Sequence, residues 1–111
     1  MRIKQQDYND VTIVELQGEL DGDLTELLQK SVTDIVEKHK IGIVLDLSDV
    51  SFIDSQGLEL LLWVRDYCHN NKTQLRLAGF DENCAKILEV TRLDKEFDCY
   101  AELTEAVKSF V

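Results

Sequence analysis

A serine stands between an aspartate and a hydrophobic, helix-like segment in "FIDSQGLELLLWV", which runs from Phe52 to Val64. What Ser55 can do depends on what can reach it. A nucleophilic serine needs a base within hydrogen-bond range and a third group to orient that base. The only two histidines are His39 and His69, in "EKHK" and "CHNN". Both fall at the ends of predicted helices, where cationic character suits the dipole. Ser55 also lacks the G-x-S-x-G setting of a nucleophile elbow. The chain is therefore not expected to be an enzyme.

Metal and cofactor chemistry are no better supplied. Cys68 and His69 are neighbours, but adjacent side chains do not converge on a helix, and no C-x-x-C or H-x-x-x-H spacing occurs. Gly18, Gly22, Gly42, Gly57 and Gly79 form no phosphate-binding fingerprint. The carboxylates lie mostly at the spacing of solvated helical faces. No metal and no cofactor are expected.

Length and charge narrow the classes further. The 111 residues suit one domain, 1–111. A hydrophobic share of 44% is enough for a real core. No window approaches a membrane span, and "MRIKQQDYND" has no apolar leader core, so a cytoplasmic protein without membrane insertion is expected. Three scattered cysteines, Cys68, Cys84 and Cys99, read as reduced thiols. The net charge of −10 weighs against nucleic acid, whose phosphates demand Lys and Arg. It favours solubility, or steering toward a basic protein partner.

The elements that must position Ser55 follow from periodicity. A first strand near the N-terminus and "VTIVELQG" form a hairpin through a turn near Tyr8-Asn9-Asp10. From Asp23 to Lys38, Leu24, Leu27, Leu28, Val32, Ile35 and Val36 recur at helical spacing, with Asp21 and Asp23 suited to cap it. "IGIVLDLSDV" reads as a buried central strand. A second helix spans about Ser55 to Asn70. "KTQLRLAGF" is a strand, "DENCAKILEV" a helix capped by Asp81, "EFDCY" a short strand and "ELTEAVKSF" a last helix. Strands alternating with helices after a hairpin predict an α/β fold, a small mostly parallel or mixed sheet of about five strands with about four helices.

Ser55 then falls where the central strand hands over to a helix. Functional groups in open parallel sheets gather at the carboxyl ends of strands. A phosphate on Ser55 would meet free N–H groups and the positive end of the helix dipole. It would add about −1.5 to −2 charge beside Asp54. Gly57 permits close approach of another chain in the first helical turn. The plainer alternative is that Asp54 or Ser55 is only an N-cap.

"GELDGDLTELLQ", "IVLDLSDVSFIDSQGLELLL" and "LEVTRLDKEF", in that order and spacing, resemble the STAS domain of bacterial anti-sigma-factor antagonists. The resemblance spans nearly the whole chain. Its specific parts are Gly18-Glu19-Leu20-Asp21 and Asp54-Ser55-Gln56-Gly57-Leu58. It implies that Ser55 is phosphorylated by an anti-sigma serine protein kinase and that a serine phosphatase resets it. The unphosphorylated form would bind the anti-sigma factor and free the sigma factor. A second implied reading is a constitutive STAS adaptor, such as the small subunit of a lipid-transport complex. A monomer or weak dimer is expected.

The chain departs from the family where many members carry small residues. Glu59 and Trp63 stand at those positions, near the surface implied to meet the kinase. At about 100° per residue, Leu60, Leu61, Val64, Tyr67 and Cys68 face the core. Leu58, Leu62, Arg65 and His69 form a second stripe, and Trp63 falls beside Glu59 and Asp66 on the polar side. Leu58 and Leu62 either widen the buried face or form a patch that a partner covers. Asp21 and Asp54 are expected on the same face as Ser55. The partner-binding residues implied are Asp21, Asp54, Gln56, Gly57, Leu58, Glu59, Leu62 and Trp63.

Overall fold

In the computed structural model, residues 2–20 and 25–110 are described. Asp21, Asp23 and Leu24, and the capping expected of the two aspartates, lie outside them. The first strand β1 (Arg2–Tyr8) pairs antiparallel with β2 (Val11–Leu20), with Tyr8 opposite Val11. Asn9 takes a φ of 56° in the turn between them, a left-handed value that asparagine tolerates. The hairpin expected from the sequence is therefore present.

Next come α1 (Thr25–Glu37), β3 (Gly42–Ile53), α2 (Ser55–Asn70) and β4 (Gln74–Ala78). They are followed by α3 (Glu82–Val90), a 3-10 turn at Leu93–Lys95, β5 (Asp98–Tyr100) and α4 (Leu103–Lys108). The sheet order is β1-β2-β3-β4-β5, and every pair after the hairpin is parallel. Crossovers of one hand that always step in the same direction deliver their helices to the same face. One core cluster joins Leu28, Val32 and Ile35 of α1, Leu60, Leu61 and Val64 of α2 and Cys84 of α3 to the sheet. A smaller cluster on Val11, Ile13, Val44 and Ala78 is closed by Ala106, with Val107 and Phe110 packed against it.

The two clusters explain the central strand. Gly42 to Leu45 are all buried, because β3 is covered on both faces. β2 and β3 run on past "VTIVELQG" and "IGIVLDLSDV", to Leu20 and Ile53, so that β3 hands over to α2 at the expected place. Register shifts between Glu15 and Gln17 and between Gly18 and Glu19 let this polar stretch stay paired. Leu20 consequently aligns with Ile53, so the two strands end side by side.

Candidate functional site

The handover from β3 to α2 is fixed by three contacts. The Asp54 N–H donates to the Leu20 carbonyl at 3.3 Å, holding the end of β3 to the end of β2. The Asp54 carboxylate accepts from the Gly57 N–H at 2.8 Å. The Asp54 carbonyl accepts the first helical bond from the Leu58 N–H at 2.9 Å. Asp54 is thus an N-cap with extended backbone, φ −95° and ψ −175°. Ser55 is the first helical residue and is exposed, as is Gln56. The N–H groups of these two residues find no acceptor among the described residues.

Gly57 is buried, and its neighbour is the chain itself. A β-carbon there would lie 2.2 Å from the Leu20 carbonyl oxygen. The close approach expected of another chain is made by β2, so the glycine seats α2 against the sheet. Asp54 and Gly57 together orient Ser55 outward.

Neither histidine can serve Ser55. His69 is exposed in the last turn of α2, about 21 Å along the axis from Ser55 at 1.5 Å per residue. His39 lies beyond the end of α1, before β3 begins, whereas Ser55 follows the other end of that strand. No cluster of three or more His, Cys, Asp or Glu side chains that could hold a metal occurs among the described residues. Burial pushes the Cys68 and Cys84 thiols up to about 12, with Asp81 adding to the effect at Cys84. Those thiols are inert core groups.

Along α2 the helical angles place Leu60, Leu61, Val64 and Cys68 in the core. Leu58 and Leu62 are half-buried and pack against it, while Glu59 is exposed. Trp63 differs from its expected place among the polar residues. It is half-buried, and its ring stacks on Tyr67 at 5.0 Å and 12°. A helical wheel cannot show this, because a large ring reaches sideways to the residue four positions on. Asp21 is outside the described residues; Leu20, beside it in sequence, ends opposite Ile53.

One part of this surface gave no signal in the sequence. Phe52 and Val90 are 49% and 74% exposed. With Ile87 they line a mainly apolar groove of about 470 Å³ between the end of β3 and α3. Phe52 sits three residues before Ser55. Its exposure follows from the shifted register at the end of β3, which sequence alternation does not reveal.

The chain matches the STAS domain family over residues 2–106. It belongs to that family. The STAS fold carries here the exposed serine, the aspartate cap and the buried glycine just described. The anti-sigma-F factor antagonist RsfB of Mycobacterium tuberculosis is 24% identical over 101 residues, 91% of this chain and 82% of its own. A Thermotoga maritima protein assigned as an anti-sigma factor antagonist superposes with a TM-score of 0.88 at 27% identity, covering 96% of this chain and 92% of its own. The Bacillus cell fate determinant SpoIIAA in its phosphorylated form shares the fold, with a TM-score of 0.75 at 18% identity and coverage of 99% and 100%. No described helix of this STAS chain is long and apolar enough to cross a membrane.

Proposed function

We propose that this chain is an anti-sigma factor antagonist, a cytoplasmic binding module without catalysis of its own, switched by phosphorylation of Ser55. The observation that carries the reading is Ser55 itself. It is an exposed hydroxyl at the first position of a 16-residue helix, held outward by a capped and glycine-seated turn. The relatives named as antagonists support an anti-sigma factor as the partner; that it is also a serine protein kinase is what the STAS resemblance implies. A serine phosphatase would reverse the mark.

The first turn of α2 can receive a phosphate without rearrangement, because the Ser55 and Gln56 N–H groups are unclaimed by the described residues. The switch therefore acts on the partner's side. A doubly negative group beside Asp54, in a chain of −10, replaces a neutral hydroxyl at the centre of a contact. Burying that charge without a counter-charge is costly. A mismatch at an interface centre commonly loses about 2 kcal/mol, roughly 30-fold in affinity.

The proposed contact surface combines Asp54, Gln56 and Glu59 with apolar flanks on both sides. One flank is the outer part of Leu58, Leu62 and Trp63; the other is the groove of Phe52, Ile87 and Val90. Asp21 belongs to it by its place next to Leu20, and Gly57 acts by seating the helix. The protein works as a monomer or weak dimer.

The test is a pull-down from the native host with wild type, Ser55→Ala and Ser55→Asp, with intact-mass measurement of the native protein. Ser55→Ala should capture the kinase, Ser55→Asp should lose most of it, and the native protein should carry one phosphate on Ser55. Equal capture of a transport subunit by all three, with no phosphate, would establish the adaptor reading instead.

A further inference from the structure

A groove of about 560 Å³ lies between the second half of α2, the start of β4 and the 3-10 turn before β5. Arg65, Lys72, Arg76 and Lys95 line it, with His69 beside them, against two carboxylates, Glu96 and Asp98. Four of the chain's 12 basic residues thus meet in one concavity of a molecule whose net charge is −10.

The two arginines are fixed walls. Arg65 pairs with Asp66 at 3.0 Å and with Glu96, and its guanidinium carbon lies 6.0 Å from the centre of the Phe97 ring. Arg76 pairs with Asp98 at 3.2 Å, donates to Ser109 Oγ at 3.1 Å and Gln74 Oε1 at 2.7 Å, and lies 4.6 Å from the centre of the Phe110 ring. Both groove carboxylates are thereby engaged in holding arginines. Lys72 and Lys95 are exposed and make no ion pair among the described residues. Two ammonium groups without an ion-pair partner among the described residues therefore line a groove whose guanidinium groups are already matched by carboxylates.

We propose that this groove binds a small phosphorylated organic molecule. Lysine is a point-charge ligand suited to phosphate, and 560 Å³ falls within the roughly 300–1,000 Å³ of small-molecule sites. A bare ion would leave most of that space empty, whereas Leu75 and the buried Phe97 offer an apolar surface for an organic body. A long acidic peptide fits less well. Its ends would leave the groove onto a strongly acidic surface, within the screening distance of about 8–10 Å. Arg65 stands ten residues beyond Ser55, about 15 Å along α2. A ligand here leaves the Ser55 surface uncovered, so the site does not depend on the phosphorylation reading.

The test is a ¹⁵N–¹H NMR titration of the full chain with glycerol 3-phosphate, and with sodium sulfate at equal ionic strength. Saturable shifts are expected at Lys72, Thr73, Gln74, Leu75 and Lys95 with the phosphate ester. The Lys72→Glu/Lys95→Glu variant, changed only at exposed positions, should keep its Tm and bind at least about tenfold more weakly. Equal shifts with sulfate, shifts scattered over Lys30, Lys86 and Lys108, or unchanged affinity in the double variant would overturn the proposal. So would a hexaglutamate peptide that occupies the groove more tightly than the ester.

Discussion

Gly57 sits so close beneath Leu20 that a β-carbon on it would meet the Leu20 carbonyl oxygen at 2.2 Å. The obstacle is backbone, tied in turn to the Asp54 N–H, and cannot rotate away. Alanine favours a helix by about 1 kcal/mol over glycine, but overpacking costs about 1–3 kcal/mol. Gly57→Ala should lower stability, by up to about 2 kcal/mol net, in urea melts. An unchanged or raised midpoint would mean that α2 lifts off β2 freely.

Asp54 has two separable duties. As the cap of α2 it accepts from the Gly57 N–H, and losing such a cap costs about 0.5–2 kcal/mol. Asn caps nearly as well. Asp54→Ala should therefore destabilise by about 1 kcal/mol, and Asp54→Asn by much less. Under the proposed function, Asp54→Asn should still slow phosphorylation of Ser55. Normal kinetics with Asn would confine Asp54 to capping.

The two apolar flanks of Ser55 should respond differently to charge. Leu62 packs against the core, so Leu62→Glu should cost about 1–3 kcal/mol of stability as well as partner affinity. Val90 is largely exposed, so Val90→Glu should stay within about 0.5 kcal/mol of wild type. If the groove beside Phe52 meets the partner, Val90→Glu should still weaken capture tenfold or more. Full capture by a stably folded Val90→Glu would remove that flank from the interface.

Phosphorylation should leave the fold as it is. Amide shifts on modification of Ser55 are expected from Ile53 to Glu59 and at Leu20, where the strand ends are bonded together. Shifts spread over β4 and β5 would indicate an allosteric switch instead.

The thiols give stability a pH dependence on the alkaline side. Burial pushes Cys68 and Cys84 up to about 12, above the roughly 8.5 of a free thiol. Their neutral forms are favoured on folding. That contribution is complete below the unfolded value and is lost as pH rises through the folded one. Urea midpoints should therefore fall from about pH 9 toward 12, and Cys68→Ala should flatten part of the slope. A thiol reagent at pH 8 should reach exposed Cys99 first and the other two only on unfolding.

Much of the frame was legible because it rests on local rules. Asp54 and Asp81 announce their helices by capping chemistry, and both caps are made. The hydrophobic run of β3 announces burial on both faces. The register shifts near the ends of β2 and β3 were not legible: Asp49 aligns with Gln17, while Ser48 and Ser51 are left without a partner on β2. The exposure of Phe52 follows from the same irregularity. The basic groove was also hidden. Its cations come from α2, β4 and the turn before β5, and only the parallel pairing of β4 with β5 gathers them.

The unbroken order of the sheet has one more consequence. Doubly wound sheets reverse their strand order partway, and the helices flanking that reversal part to leave a crevice where ligands settle. In this sheet the order never reverses, so α1, α2 and α3 close ranks over one face. The carboxyl ends of the central strands then form a shoulder instead of a cleft. A residue on a shoulder can be read, covered or marked by another molecule. Topology alone thus inclines this architecture toward signalling by contact, before any side chain at the handover is chosen.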